Sequence, residues 1–115
     1  MAYIDGYILA VPHDKKQVYL DFAVQMAAIF KKNGATRVME CWENDVPEGK
    51  LTSLPMAVKR EEGEAVLMSW IEWPSKDVRD EGWKLTMANP VMQSATMPYD
   101  GKRVIFGGFD VILDA

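Results

Sequence analysis

The chain has 115 residues, 49% of them hydrophobic and 26% charged, with a net charge of -4. That length supports a single domain, residues 1–115, with one core able to bury roughly two thirds of the unfolded surface. The acid excess argues against a nucleic-acid partner, because the basic residues fall in dispersed pairs (Lys15-Lys16, Lys31-Lys32, Lys102-Arg103) and form no cationic stripe.

Tyr3 to Pro12 alternates as a first strand that Pro12 ends. Asp14 with Gln17 forms a capping-box pattern for a helix carrying Val18, Phe22, Met26, Ile29 and Phe30, which Asn33-Gly34 closes. Thr36 to Asp45 reads as a second strand, and residues 46 to 55, with the turn Pro47-Glu48-Gly49, as an excursion from it. Met56 to Lys59 is ambiguous, since with Ala65 onward it also fits a hairpin around Glu62-Gly63. Ala65 to Trp73 is the third strand. Pro74-Ser75 breaks it and caps a second helix holding Val78, Trp83, Leu85 and Met87, terminated by Asn89-Pro90. A Met-rich segment, Val91 to Met97, leads through the Asp100-Gly101 turn to a last strand, Arg103 to Leu113.

The order β-α-β-β-α-β predicts an α+β ferredoxin-like fold: a four-stranded antiparallel sheet in the order 4-1-3-2, with both helices on one face. No residues remain to cover the other face, so a second copy of the chain is the expected cover. The homodimer is thus the expected partner. Without an apolar run of about 18 residues, neither a membrane span nor a signal peptide is expected, and the cytoplasm is the default location. The lone Cys41 rules out an intrachain disulfide and reads as a buried thiol.

Glu40-Cys41-Trp42 and Trp70-Ile71-Glu72 are mirror images, each setting a carboxylate and an indole on one face of a strand. Parity assigns Ile4, Gly6, Ile8, Ala10, Met39, Cys41, Leu67, Ser69, Ile71, Ile105 and Gly107 to the face under the helices. The opposite face receives Tyr3, Asp5, Tyr7, Leu9, Val38, Glu40, Trp42, Met68, Trp70, Glu72, Phe106, Gly108 and Asp110. One antiparallel register would place Glu40 opposite Glu72 and Trp42 opposite Trp70, and would align Asp110, Asp5, Glu72 and Glu40 in a row. Like charges facing each other on a sheet are destabilising, so the row needs a reason.

Three reasons are open. The acids lie at a wet sheet edge or pair with Arg37, Lys102 or Arg103; Glu40 and Glu72 share a proton and act as catalytic acid and base; or Asp5, Glu40, Glu72 and Asp110 hold a divalent cation. Tyr7, Trp42, Trp70 and Phe106 are the candidate ligand-binding residues, lining a pocket between two sheets for a small organic molecule, or else forming the centre of a dimer interface. His13 sits in a turn and reads as a surface residue, and a single histidine assembles neither a nucleophilic triad nor a histidine metal site. Gly107-Gly108 lies within a strand and marks a bulge or close packing. Met87, Met92 and Met97 suit a pliable pocket wall.

Asp5-Gly6-Tyr7, Ala10-Val11-Pro12, Glu40-Cys41-Trp42, Asp45-Val46-Pro47, the run Trp70 to Lys76 with Arg79-Asp80, and Met97 to Arg103 ending in Gly107-Gly108-Phe109 occur in order and at spacings that run nearly end to end. In these blocks the chain resembles the YbaA-like family of bacterial proteins, a family without an assigned function. The resemblance implies a dimeric α+β barrel in the cytoplasm, in a superfamily that includes cofactor-independent monooxygenases, isomerases and haem enzymes. That wider likeness is one of fold only. His13 is badly placed as a haem ligand, so no cofactor is expected. Tyr99 departs from the phenylalanine that the resemblance implies, and adds a hydroxyl to the loop before the last strand.

Overall fold

A computed structural model describes residues 2–115. Its elements are β1 (Tyr3–Pro12), α1 (Lys16–Lys32), β2 (Arg37–Trp42), α2 (Leu54–Ala57), β3 (Glu64–Trp73), α3 (Lys76–Met87), α4 (Pro90–Ser94) and β4 (Ile105–Asp110), with single 3-10 turns at His13–Lys15 and Gly101–Arg103. The sheet is antiparallel in the order β2-β3-β1-β4, which is the expected 4-1-3-2 read from the other edge. Among the described residues no helix is long and apolar enough to cross a membrane.

Local chemistry accounts for most boundaries. Asn33-Gly34 ends α1 in a Schellman arrangement, with Gly34 at φ 115°. There the Ala35 N–H donates to the Phe30 carbonyl at 3.0 Å and the Gly34 N–H to the Lys31 carbonyl at 3.3 Å. Ser75 caps α3 by accepting the Val78 N–H at 3.2 Å. The expected Asp14 cap of α1 is not made: the 3-10 turn leads directly into the helix, no side chain caps its start, and Gln17 bonds Asp21 instead. Two strands are shorter than expected. Arg103 belongs to the turn before β4, where its guanidinium forks onto Glu64 with two bonds of 2.7 Å, and β4 ends at Asp110. That ion pair holds the Glu64 carboxyl below its ordinary range.

The two faces are assigned differently from the sequence expectation on three of the four strands. Under α1 and α3 lie Tyr3, Asp5, Tyr7, Leu9 and Val11 of β1, Leu67, Ser69, Ile71 and Trp73 of β3, and Val38, Glu40 and Trp42 of β2. They meet the buried stripe Tyr19, Ala23, Met26 and Phe30 of α1. The reason is register. β2 pairs Arg37 with Glu72, Glu40 with Ser69 and Trp42 with Leu67, three residues out of step with the expected pairing of Glu40 and Glu72. An odd shift turns a strand's side chains to the other face, so the mirrored motifs lie on opposite sides of the sheet.

The segment leading to β3 folds back over the far side of the sheet, where Val58 packs on Ala10 and Val66. It covers one end of that face. The rest, including Met68, Trp70, Ile105 and Phe109, is not covered by any of the described residues.

On the helix side, α3 approaches β3 closely at Gly82. A Cβ there would stand 2.8 Å from the Asn33 carbonyl oxygen and nearer still to the Trp73 ring. Gly82→Ala is therefore expected to destabilise the fold by about 1–3 kcal/mol, overriding alanine's better helix propensity. Urea unfolding checks this: an unchanged or raised midpoint would show that α3 shifts freely.

Candidate functional site

Between the helix-side face of the sheet and helices α1 and α3 lies a cavity of about 510 Å³, with Met92 of α4, Tyr99 and Phe106 also on its wall. The volume is in the range of small-molecule sites. Polar groups gather at two places in an otherwise apolar and aromatic lining.

The first is Glu40, which β2 points inward beside Ser69 of β3. Its Oε1 accepts the Ser69 hydroxyl at 2.9 Å and a short bond from the Tyr19 hydroxyl, and its Oε2 accepts the Tyr7 hydroxyl at 3.2 Å. Burial pushes the Glu40 carboxyl above its ordinary value, against the opposite pull of these three hydroxyls. Burial, and then the Glu40 charge, push the Tyr7 and Tyr19 phenols far up, so both stay protonated. Tyr99, also raised by burial and by Glu40, completes a ring of phenols.

The raised carboxyl has a consequence for stability. The folded state holds the Glu40 proton more tightly than the unfolded chain, so this contribution is complete below the unfolded value and is lost as pH rises through the folded one. Glu40→Gln is expected to flatten that part of the profile. Urea midpoints for the two proteins from acid to neutral pH would check it, and parallel curves would count against a raised Glu40.

The second place is Asp5. Its Oδ2 accepts the Trp73 and Trp83 indole N–H groups at 2.9 and 2.8 Å, and its Oδ1 accepts from Arg79 Nη2 at 2.7 Å and Nε at 3.0 Å. Arg79 and Trp83, four apart on α3, reach it from one helix face. This carboxylate is filled by its own fold and has no oxygen site left over for a metal ion. The group is structural.

The structure separates the remaining candidates. Tyr7 and Phe106 line the cavity, Phe106 being 82% exposed at its mouth. Trp42 lies outside it, packed against the core cluster that contains Leu9, Val11 and Leu67, with the Lys16 ammonium 5.1 Å above its ring and His13 at its edge. Trp70 and Glu72 lie on the far face, where the indole donates to Glu72 at 2.9 Å and Arg37 stands opposite Glu72. Glu40 and Glu72 therefore form no acid-base pair. Nor do the four acids make a row: Asp5 pairs with Gly108 and Asp110 with Tyr3, and among the described residues no cluster of three metal-ligating side chains exists. Sequence reasoning missed Tyr19, Arg79 and Trp83. A stripe started at Tyr19 instead of Val18, which is 54% exposed, would have brought Tyr19 inward.

A helix-covered antiparallel sheet enclosing a carboxyl and phenol cavity defines the class: a ferredoxin-like α+β domain. The structure of Rv0793 from Mycobacterium tuberculosis shares this fold, with a TM-score of 0.54 at 13% identity, covering 100% of this chain and 99% of that one. The family model described as "Protein of unknown function (DUF1428)" matches residues 2–101. The "Uncharacterized protein YbaA" of Escherichia coli strain K12 is 52% identical over 116 residues, which is 99% of each chain, and that of Shigella flexneri is equally similar. The chain belongs to this YbaA family.

Proposed function

We propose that this protein is a cytoplasmic homodimer in which each chain binds a small, largely apolar organic molecule in its own cavity. The observation that carries the binding reading is Glu40. A carboxylate held by three hydroxyls at the wall of an apolar space is a fixed polar anchor of the kind that orients a ligand. The dimer reading is supported by the uncovered sheet face, and the cytoplasmic setting by a lone thiol, Cys41, with no disulfide partner.

Ala27 of α1 lines the cavity without belonging to the buried stripe. Ala27→Trp is therefore expected to fill the space, weakening binding of naphthylmethanol, a neutral probe, by about tenfold or more. Ligand-detected NMR on both proteins measures this. Equal binding by the two would place the probe elsewhere and sink the reading.

A second reading, proton transfer to or from a bound substrate, is favoured by the raised Glu40 carboxyl. It differs from the sequence expectation in using one carboxylate, with Tyr19 as its hydrogen-bonded neighbour. It predicts that deuterium from D2O enters the α-carbon of a cyclic ketone faster with wild type than with Glu40→Gln. Equal rates by proton NMR would remove it.

A further inference from the structure

We propose that the molecule this cavity is built for is an organic cation, a protonated amine on an apolar body; the inference rests on the binding reading above. The ground is a mismatch of charge inside the cavity. Glu40 accepts three hydroxyl hydrogen bonds, and among the described residues no lysine, arginine or histidine pairs with it. Hydroxyls orient and partly solvate a carboxylate, yet they do not neutralise it. Arg79, whose guanidinium is on the cavity wall, is bound to Asp5 and Asp80. Among the described residues three acids thus line the space against one base, and an anionic ligand would meet repulsion with no free cation among them to receive it.

Hydrogen-bond polarity points the same way. Tyr7 and Tyr19 donate their only protons to Glu40, so what their oxygens have left for a ligand is lone pairs. Apart from the Tyr99 hydroxyl, which can donate or accept, these oxygens offer acceptors, and acceptors call for a group made of donors: an ammonium has three donors and no acceptor. The walls fit its body and its charge alike, since Phe22, Tyr99 and Phe106 join the two tyrosines and aromatic faces attract cations. An alcohol offers one donor and leaves the carboxylate uncompensated.

Three probes on one body separate the possibilities: naphthylmethylamine, naphthylmethanol and naphthoate, titrated calorimetrically at neutral pH into wild type, Glu40→Gln and Ala27→Trp. The amine is expected to bind wild type about tenfold more tightly than the alcohol, with naphthoate weakest, and to lose that advantage in Glu40→Gln. Should Glu40→Gln fold poorly, wild type carries the test alone. Its affinity for the amine should rise with pH as Glu40 ionises, while that for the alcohol stays level. Amine and alcohol binding equally, both blocked by Ala27→Trp, would overturn the cation and leave the cavity reading standing. Binding of either probe that is indifferent to Ala27→Trp, or no binding by any of the three, would overturn both.

Discussion

Asp5→Ala is expected to lower folding stability by about 3–5 kcal/mol, the range for removing one partner of a buried charge pair. The carboxylate is buried and holds three side chains from two elements: Trp73 at the end of β3, and Arg79 and Trp83 of α3. Alanine leaves two indole N–H groups and a mostly covered guanidinium without their acceptor, and water reaches them poorly. For a chain of this size the loss corresponds to a fall in Tm of roughly 15 °C. Asp5→Asn should fall between wild type and alanine, because one carbonyl oxygen replaces two acceptors. Thermal and urea unfolding test the series. A loss under about 1 kcal/mol for alanine would mean that α3 docks by apolar contact alone.

The second large effect concerns the uncovered sheet face. Met68 is 47% exposed there, Ile105 42% and Phe109 56%, in a continuous apolar surface with Ile4, Ile8 and Trp70. Apolar patches of this kind on soluble proteins mark interaction sites. We expect wild type to sediment at twice the 13.0 kDa of one chain. Met68→Glu should shift it to a single chain, because a charge brought into a dry interface without a partner costs several kcal/mol of association. Cavity binding should survive in the variant, since Met68 and the cavity are on opposite sides of the sheet. Sedimentation equilibrium at micromolar concentration decides the point. A wild-type monomer would remove the dimer from the proposed function.

The elements themselves were legible because their signals are local. Pro12, Asn33-Gly34, Pro74-Ser75 and Asn89-Pro90 stop or start backbone conformations whatever surrounds them, and each lies at an observed boundary. That Glu40, Tyr7 and Phe106 share one face was legible for a related reason: acid and aromatic groups interleaved on one side of a strand are costly without a use. Their setting was not legible. The same pattern placed them between two sheets, whereas they line a cavity under the chain's own helices.

The sequence alone therefore determined the order β-α-β-β-α-β, the antiparallel sheet and its strand order, and the family. Tertiary structure decided the register of β2 on β3, and with it which residues share a face and which carboxylates meet. The physical reason is that both faces of this sheet are apolar. Alternation identifies the inner face when the other is polar; here Ile4, Ile8 and Met68 on one side and Tyr3, Leu9 and Ile71 on the other look equally fit for burial. Only packing broke the tie: the indoles of Trp73 and Trp83 and the guanidinium of Arg79 converge on Asp5, and that convergence holds the acidic side of β1 beneath the helices.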